Sequence, residues 1–519
     1  MRGYRFWGAP SRLEGYGLWT KCCIAGKIAV VHRLWARYVA GDPALHPLVA
    51  WPWPSVPWAA VLRSRAAFPT PRGALVEALR RQNERFLAQD PALQAAIAAL
   101  QEPTTFTVTT GQQLGWLTGP LYTLVKAAHT LQLARELTRI LGPPYRVVPV
   151  FWLASEDHDA EEVRTTEVGW GRLLRYEGTF TGPVGRHRIQ AAFPPEAAPL
   201  ALQRYWEVGQ PWEMAFRAAM QALFAGTGLV WCSGDDPTLK ALASPLWIAE
   251  IQHKRTYEAH AVAVSALRVL GERPCLHAQP VNLFWLSDAE RRYPTPAEGP
   301  DLLTAAHLHP ERLSPNVLLR PIYQEWLLPN LAYVAGPAEV AYWLELRWVF
   351  EAFGVPMPVV YPRGHLRVLP ATPPDLPEGL SWEGVWQLSQ NRLRTLLAEL
   401  WGQAEWQALL DWAERHRPPV EELSNSPFLH SAQRSLMRFW AGWTQQLRRA
   451  ALRAAQVRYR SSLEAVLHYR AAVEPEGRLQ ERSLNVHAFA PENPTQWVRR
   501  LLEEVTFQPG QWTLWQTTR

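Results

Sequence analysis

Residues 104–154 limit most strongly how this 519-residue chain can fold. They begin with a run of β-branched and aromatic residues, which is typical of a strand, and end with the apolar run 147–154, which is typical of a parallel strand buried on both faces. Between the two, a helix is predicted to begin with Thr118 as its cap and to reach about Ile140. A strand, a helix and a second strand in so short a stretch predict a βαβ unit, and therefore a doubly wound parallel sheet.

The same pattern recurs later in the chain. Residues 331–335 and 357–361 are predicted strands on either side of a helix, and 228–232 form a further predicted strand. Residues 165–225 and 255–310 do not continue this rhythm, so we expect them to be insertions that decorate the sheet. The expected fold class is α/β, with a doubly wound parallel core and inserted connecting segments.

Residues 382–416 and 429–473 have long helical patterns, separated by a proline-rich break. The second pattern follows the alternating four- and three-residue spacing of a heptad seam. We expect an antiparallel α-helical hairpin that protrudes from the core as a coiled coil, with a seam that either closes on itself or pairs with a second chain. The seam residues are Trp440, Trp443, Leu447, Ala450, Ala454 and Val457.

These patterns predict an order of segments along the chain. The segments are a translated leader upstream of the natural start (1–31), the first part of the parallel core (32–164), core strands with inserted connecting segments (165–310), the second part of the core (311–380), the coiled-coil hairpin (381–473) and a C-terminal segment packed on the core (474–519).

Composition argues against several classes of protein. The net charge is +6, but the densest arginine segment, 448–460, lies on a predicted helix face, so we expect no nucleic-acid partner. The four cysteines have no metal-ligand spacing, so we expect no metal site and no disulfide framework, which fits the reducing cytoplasm. No apolar run approaches the ~18 residues of a membrane span, so we expect no membrane partner.

The segment after the first predicted strand, GQQLGWLTGPLY, is the first with candidate functional residues. Gly111 and Gly119 let the backbone turn tightly and approach a ligand, and the predicted helix start at Thr118 is a natural site for an anion. Gln112 and Gln113 add neutral donors and acceptors. The alternative is a glycine turn followed by a well-capped helix, and the pattern alone does not separate the two.

An acidic cluster directly follows the second predicted strand. It consists of Glu156, Asp157, His158 and Asp159. Such a cluster can bind an ammonium group, hold Mg²⁺ through a carboxylate or supply a base that titrates near neutrality. The alternative is a solvated loop that caps the next helix. Placement at the carboxyl end of a strand favours function, because open α/β sheets bind ligands there.

The third candidate segment surrounds the strand 331–335. Three polar residues lie in an otherwise apolar stretch before it: Arg320, Gln324 and Glu325. Buried charges need partners, so either an internal ion pair or a substrate clamp explains them. Glu339 and Tyr342 share one face of the following helix, and Arg363 is a candidate ligand for a substrate carboxylate.

Three long stretches carry a family resemblance. They are TVTTGQQLGWLTGPLYTLVK (107–126), VPVFWLASEDHDAEEV (148–163) and RPIYQEWLLPNLAYVAGPAEVAYW (320–343). In this order they resemble the bacillithiol-biosynthesis cysteine-adding enzymes, the BshC family. Weaker matches extend the resemblance over roughly residues 32–510.

The resemblance implies a Rossmann-like core, a protruding coiled coil used in homodimerisation, and a cytoplasmic ligase that adds L-cysteine to glucosaminyl-malate by amide bond formation to give bacillithiol. It also implies a nucleotide site for ADP or ATP. Our hypothesis is that the cluster 156–159 is catalytic and holds the cysteine ammonium, with His158 or Asp159 taking its proton. The expected substrate-binding residues are Gln112, Gln113, Thr118, Tyr122, Arg320, Gln324, Glu325, Glu339, Tyr342 and Arg363, and the expected cofactor-binding residues are Gly111, Gly119, Lys126, Arg482 and Asn485.

Two other functions stay open on the sequence. The strand, the TGPLY turn and the helix also look like the adenylate-binding corner of class I aminoacyl-tRNA synthetases, which allows another ATP-dependent ligase or nucleotidyltransferase on this fold. Here, however, Tyr122 and Lys126 stand near the positions where that family carries histidines. A non-catalytic coiled-coil assembly protein is the second alternative, and the polar clusters at the strand ends argue against it.

Overall fold

The structure is a computed structural model, and it describes residues 31, 33–169, 171–191, 200–369, 373–417, 429–474 and 478–517. The expected leader lies outside the described residues, apart from its last position. The proline-rich break between the two long helical patterns also lies outside them.

The strands are numbered in chain order. They are β1 Thr105–Gln112, β2 Arg146–Leu153, β3 Thr165–Glu167, β4 Leu173–Arg175, β5 Val230–Ser233, β6 Leu283–Leu286, β7 Arg291–Arg292, β8 Leu313–Pro315, β9 Asn330–Ala335, β10 Val359–Pro362, β11 His365–Leu369 and β12 Trp512–Gln516.

The α-helices are numbered in the same way. They are α1 Trp58–Ala66, α2 Arg72–Leu87, α3 Pro91–Ala99, α4 Tyr122–Leu141, α5 Ala160–Val163, α6 Trp212–Phe224, α7 Pro237–Leu242, α8 Ser244–His253, α9 Arg255–Val269, α10 Gly299–Leu308, α11 Arg320–Leu327, α12 Pro337–Trp343, α13 Arg347–Phe353, α14 Trp382–Gln387, α15 Gln390–Trp401, α16 Gln403–Arg415, α17 Leu429–Arg458, α18 Arg460–Val473, α19 Gln480–Ser483 and α20 Pro494–Glu504.

The core is a five-stranded sheet in the order β10-β9-β1-β2-β5, and all of its strand pairs are parallel. The chain therefore builds outward from β1 through β2 to β5, and then returns to the other side of β1 with β9 and β10. This is the doubly wound order that the sequence predicts. In such sheets the order reverses between two neighbouring strands, here β1 and β9, and the crevice at their carboxyl ends is the usual ligand site.

Alternate residues of β9 show that both faces of this sheet are buried. Ala332 and Val334 pack in one hydrophobic cluster with Leu133 of α4, whereas Tyr333 and Ala335 pack in another cluster on the opposite face. Burial on both faces explains why the strands consist of nearly continuous apolar and β-branched residues rather than an alternating pattern.

The helix after β1 does not begin where the sequence predicts. Leu117, Thr118 and Gly119 have φ angles of 53°, 79° and 72°, all in the left-handed region. The Thr118 hydroxyl makes no hydrogen bond within the described residues, so it caps no helix there, and Thr118 as the predicted cap is wrong. The helix α4 starts at Tyr122, and its N-cap residue Leu121 makes no side-chain cap bond.

The inserted segments form small antiparallel sheets. Strands β3 and β4 form one pair, and β7, β6 and β8 form a three-stranded sheet in that order. Strands β11 and β12 form a further two-stranded sheet.

The chain divides into two compact units. The first comprises Met1–Arg367 with Gln480–Trp515 and contains the parallel sheet. The second comprises Val368–Leu479 with Gln516–Arg519. Within the second unit α15 packs against α17 and α18, and α16 packs against α17.

The helices of the second unit pair in antiparallel directions. Trp401 stacks near Tyr459 with ring centres 6.1 Å apart, and Trp412 lies 6.1 Å from Trp443, so residue numbers rise along one partner as they fall along the other. The predicted continuous helix 429–473 is wrong in one detail, because it is interrupted at Tyr459 between α17 and α18.

The predicted seam of α17 is only partly correct. Its first three members are half-buried, but Ala450 and Ala454 are exposed and Val457 is 76% exposed. The buried stripe passes instead through Leu452 and Ala455. An undistorted α-helix has 3.6 residues per turn, so its apolar stripe drifts away from a strict heptad.

Candidate functional site

Polar side chains gather at the carboxyl edge of the sheet, where the strand order reverses. Gln112 ends β1, Asp157 follows β2, Asp235 follows β5, Glu339 lies on the helix after β9, and Arg363 follows β10. All five lie at or after the carboxyl ends of parallel strands, which is where open α/β sheets bind ligands, and they therefore lie at one edge of the sheet.

The glycine-rich turn after β1 is held by a residue from the far end of the chain. The side-chain amide of Asn485 donates hydrogen bonds to the carbonyl oxygens of Leu117, at 2.8 Å, and of Gly119, at 2.7 Å. A Cβ atom on Gly115 would lie 2.6 Å from the Cα atom of Gly119, so only glycine fits there. The turn is thus fixed by the protein itself, and Asn485, expected to bind a cofactor, has its amide occupied by this turn.

The start of α4 offers fewer free donors than the sequence suggests. The amide of Leu121 donates to the carbonyl oxygen of Leu484 at 2.8 Å, and the amide of Thr123 donates to Pro120 at 2.9 Å. The hydroxyl of Thr118 is buried and makes no hydrogen bond within the described residues. An anion at this corner could therefore accept a hydrogen bond from that hydroxyl, but not from the backbone amides of Leu121 and Thr123, which are already bonded.

Lys126 is buried at the reversal point and bound to three acceptors. Its ammonium donates to the carbonyl oxygen of Gly111 at 2.5 Å, to Oε1 of Gln112 at 3.2 Å and to the carboxylate of Glu339 at 2.7 Å. Burial lowers the pKa of Lys126, while Glu339 acts in the opposite direction. An ammonium group has three N–H donors, so its expected role as a nucleotide ligand would require it to leave one of these acceptors.

Glu339 is fixed from three sides. Besides Lys126 it accepts hydrogen bonds from the hydroxyl of Tyr333, at 2.6 Å, and from the backbone amide of Gly336, at 2.7 Å. The expected substrate residue Glu339 therefore links β9 and α12 to Lys126 of α4.

Tyr122 lies near two guanidinium groups. Arg363 and Arg482 each have their guanidinium carbon 5.9 Å from the centre of its ring, and Gln112 donates to its hydroxyl at 2.9 Å. Burial raises the pKa of Tyr122, so its hydroxyl stays protonated. Arg363 also makes a bidentate ion pair with Glu481, at 3.1 and 2.7 Å. Tyr122, Arg363 and Arg482 form the arginine-rich corner of the site, in which Glu481 is the counter-ion of Arg363.

The acidic loop after β2 contacts the turn after β1 through Gln113. The side-chain amide of Gln113 donates to Asp157 at 2.7 Å and also to Glu162, a residue that the sequence pattern did not single out. Asp157 also accepts the backbone amides of His158 and Asp159, at 2.8 and 3.3 Å. The loop is thereby anchored to the same edge as the glycine-rich turn.

The other members of the predicted cluster have different surroundings. Asp159 caps α5 by accepting the amide of Glu162 at 3.3 Å, as the alternative interpretation expected. His158 is exposed, and its Nδ1 atom lies 3.3 Å from Nη1 of Arg291, which extends from β7. Glu156 is buried and forms an ion pair with Lys240 at 2.8 Å.

A further charged cluster follows β5 and was missed on the sequence. Asp235 pairs with Arg186 at 2.7 Å and with Lys240 at 2.9 Å. Burial would raise the pKa of Asp235, but these two cations lower it to about 2. The sequence SGDD directly after the predicted strand 228–232 carried the same strand-end signal and could have identified it.

Two residues of the third segment lie away from the edge. Gln324 donates to Glu325 at 2.8 Å, and Glu325 accepts from Asn330 at 2.9 Å, at the amino end of β9. Arg320 connects them to the site, because it donates to Gln324 at 2.9 Å and its guanidinium lies 5.9 Å from the ring centre of Tyr333. Burial raises the pKa of Glu325 to about 7.

Tyr342, which the sequence places on the same helix face as Glu339, forms a hydrogen bond with Arg320. Burial would lower the pKa of Arg320, but Tyr342 and Tyr333 raise it. Most of the predicted residues thus meet at one edge of the sheet, while Gln324 and Glu325 belong to a buried network below it.

No group of three or more His, Cys, Asp or Glu side chains in the described part of the chain is arranged to hold a metal ion. Likewise, none of the described helices combines the length and apolar character that crossing a bilayer requires.

The sheet order and the polar edge at its reversal point define a Rossmann-like α/β protein. A family model described as "Bacillithiol biosynthesis BshC, N-terminal Rossmann-like domain" matches residues 23–180 and 196–364. The chain belongs to the BshC family.

Several relatives carry the name "Putative cysteine ligase BshC". One from Chlorobium phaeobacteroides is 30% identical over 478 residues, covering 80% of this chain and 84% of the relative. Relatives from Salinibacter ruber and Chlorobaculum tepidum are 37% and 35% identical, over 60% and 56% of this chain. The chain spans less than two thirds of these two relatives, 63% and 58% of their lengths.

Proposed function

We propose that this protein joins L-cysteine to glucosaminyl-malate by an amide bond, which gives bacillithiol. Membership of the BshC family and the cysteine ligase name of its relatives support the reaction class. The proposal places the reaction in the cytoplasm, where a thiol product stays reduced.

One observation of the site supports this choice of substrates most directly. The adjacent residues Gln112 and Gln113 contact two different groups of side chains: Gln112 binds Tyr122, which lies beside two guanidinium groups, and Gln113 binds Asp157 in the acidic loop. An amide-forming ligase needs an anionic side for an ammonium group and a cationic side for a carboxylate. We propose that the malyl carboxylate binds at the arginine-rich corner and the cysteine ammonium at the acidic loop.

Three chemical tasks follow from amide formation. The amine must be neutral when it attacks, the carboxyl must carry a leaving group, and the developing oxyanion must be stabilised. The acidic loop is suited to the first task. The hydroxyls of Tyr122 and Thr118 are protonated donors that suit the third.

A nucleoside triphosphate would supply the leaving group. Two of the residues expected to bind it do not fit as phosphate ligands, since the ammonium of Lys126 and the amide of Asn485 are occupied within the protein. We therefore assign no step at this corner to a nucleotide. We still propose that the overall reaction depends on ATP. A reaction mixture without ATP tests this.

We also propose that the second unit mediates homodimerisation as a coiled coil. Large hydrophobic side chains of α16 and α17 remain exposed after those helices pair: Trp412 is 43%, Met437 48% and Phe439 66% exposed. Met437 and Phe439 are two positions apart and lie on different faces of α17, and exposed large apolar side chains such as these are candidates for contact with a second chain.

The test is a reaction of the purified protein with glucosaminyl-malate and L-cysteine, with and without ATP, followed by mass spectrometry. Bacillithiol should form with L-cysteine and should not form with N-acetylcysteine, whose amine is blocked. Nucleotidyl transfer without an amide product, or equal activity with N-acetylcysteine, would overturn the proposal.

A further inference from the structure

Glu162 differs from most of the acidic side chains at this edge of the sheet. It lies in the first turn of α5, and its carboxylate shares the side-chain amide of Gln113 with Asp157. No Lys, Arg or His among the described residues lies within ion-pair distance of it.

Five of the carboxylates around it each have a cation, whereas Asp159 has no ion-pair partner among the described residues and Asp157 has only the exposed ring of His158, at 3.9 Å. The pairs are Glu156 with Lys240 at 2.8 Å, Asp235 with Arg186 at 2.7 Å, Glu339 with Lys126 at 2.7 Å, Glu481 with Arg363 at 2.7 Å and Glu161 with Arg164 at 2.8 Å. A largely buried carboxylate without a cation is costly unless a partner arrives. At a ligand site, the missing cation is best explained as part of the substrate.

The groups that face Glu162 are acidic or neutral. Asp157 and Asp159 lie on the loop before it, Gln113 on the turn after β1, and the hydroxyl of Tyr122 on α4. Burial raises the pKa of Glu162 to about 8, the hydrogen bond from Gln113 opposes this, and the two aspartates add to it. With this pKa the Glu162 carboxyl is mostly protonated at pH 7 while no substrate is bound. A substrate ammonium beside it favours the carboxylate form, which can then accept a proton.

We propose that Glu162 is the catalytic residue that takes the proton from the ammonium group of the amino-acid substrate, while Asp157 holds that group in place. One N–H bond of the ammonium breaks, its electron pair stays on nitrogen as the nucleophilic lone pair, and the proton moves to the Glu162 carboxylate. This assignment rests on the proposed function, and it replaces His158 and Asp159 as the proton acceptor.

The experiment compares Glu162→Gln with Glu161→Gln in the full-length protein. Glu161 is the adjacent carboxylate, and its partners Arg164 and Arg175 lie outside the proposed site. At pH 7 we expect E162Q to lower kcat/KM about 100-fold or more, within the range for loss of a general base, and E161Q to change it less than about twofold.

The pH profile separates a proton acceptor from a structural residue. As pH rises, more of the cysteine amine is neutral in solution, so the activity of E162Q should rise toward that of the wild type. An equal loss at every pH, or E162Q activity equal to that of E161Q, would overturn the inference. Thermal unfolding of both variants shows whether either is misfolded.

A binding measurement keeps the two proposals distinguishable. If the wild type makes no bacillithiol, the proposed function fails. If it does, E162Q should weaken the binding of L-cysteine at least about tenfold in calorimetry, but not that of 3-mercaptopropionate, which lacks the ammonium group. Equal weakening for both compounds would contradict the assignment.

Discussion

The side-chain amide of Asn485 lies 2.7 Å from the carbonyl oxygen of Gly119, although 366 residues separate the two along the chain. The same amide binds the carbonyl oxygen of Leu117 at 2.8 Å. The left-handed turn is thus stabilised by a contact between distant parts of the first unit.

Replacement of Asn485 by Ala should destabilise the protein. Two buried carbonyl oxygens would lose their donor, which costs roughly 1–3 kcal/mol for each unsatisfied group. We expect a lower urea midpoint for N485A. Asn391→Ala, at an exposed position of α15, is the control and should change the free energy of unfolding by less than about 0.5 kcal/mol. Equal midpoints for the two variants would show that the turn does not need Asn485.

Replacement of Gly115 by Ala should be more damaging than the usual glycine substitution. The new Cβ atom would meet the Cα atom of Gly119 at 2.6 Å, and backbone has little room to move. Gly73→Ala is a matched control, because nothing lies within 4 Å of a Cβ at that position in α2, and alanine there should stabilise by about 0.5–1 kcal/mol. Calorimetric melting of both variants measures the difference. A neutral G115A would contradict the close packing of the turn.

The ion pair of Lys126 and Glu339 should show strong coupling. Lys126→Met leaves a carboxylate without its cation and should cost about 3–5 kcal/mol, whereas the double variant with Glu339→Gln should cost less than the two single changes together. A double-mutant cycle from urea unfolding gives the coupling free energy. Simple additivity would mean that the two residues do not stabilise each other.

Glu325 should make stability depend on pH. Its pKa is about 7 in the folded protein because of burial, above the value of about 4.5 for an exposed glutamate. The folded state therefore holds the proton more tightly, so the stabilisation is complete below about pH 4.5 and is lost as pH rises toward 7. The loss amounts to about 3 kcal/mol at most.

Glu325→Gln should remove this contribution, because an amide does not titrate. The difference in unfolding free energy between wild type and E325Q should change between pH 5 and pH 8, with the variant gaining relative stability at pH 8. Glu258→Gln, at an exposed position of α9, should show no such change. A difference for E325Q that is independent of pH would show that Glu325 is already ionised at pH 5.

Phe439 tests the role of the second unit. If its exposed side chain contacts a second chain, Phe439→Glu should convert dimer to monomer in analytical ultracentrifugation. Leu308→Glu is the control, since Leu308 is 68% exposed on α10 of the first unit. Unchanged sedimentation of both variants would place any self-association elsewhere.

The parallel core could be predicted from sequence because its signals are local. The strands β1 and β2 have compositions that identify buried parallel strands, and the rule that ligands bind at strand ends points to Gln113 and Asp157, which are hydrogen-bonded to each other. Local sequence could not show that Thr118 is left-handed, because the carbonyl oxygens on either side of it bind Asn485, far away along the chain.

The partners of the charged residues were beyond sequence reasoning for the same reason. Arg363 had the composition of a carboxylate ligand, but the sequence does not show that Glu481, 118 residues away, binds it. Arg291 reaches His158 from a strand of an inserted segment, 133 residues along the chain. Pairings over such distances depend on the tertiary fold rather than on spacing.

The hydrogen bonds from Asn485 to the glycine-rich turn also have a consequence for how the chain folds during translation. A ribosome makes the turn 366 residues before Asn485, so all strands of the parallel sheet are synthesised before the residue that binds this turn. A chain that stopped before residue 480 would contain the strands β1 to β10. It would lack the two hydrogen bonds from Asn485 to the turn at the ligand-binding edge of the sheet.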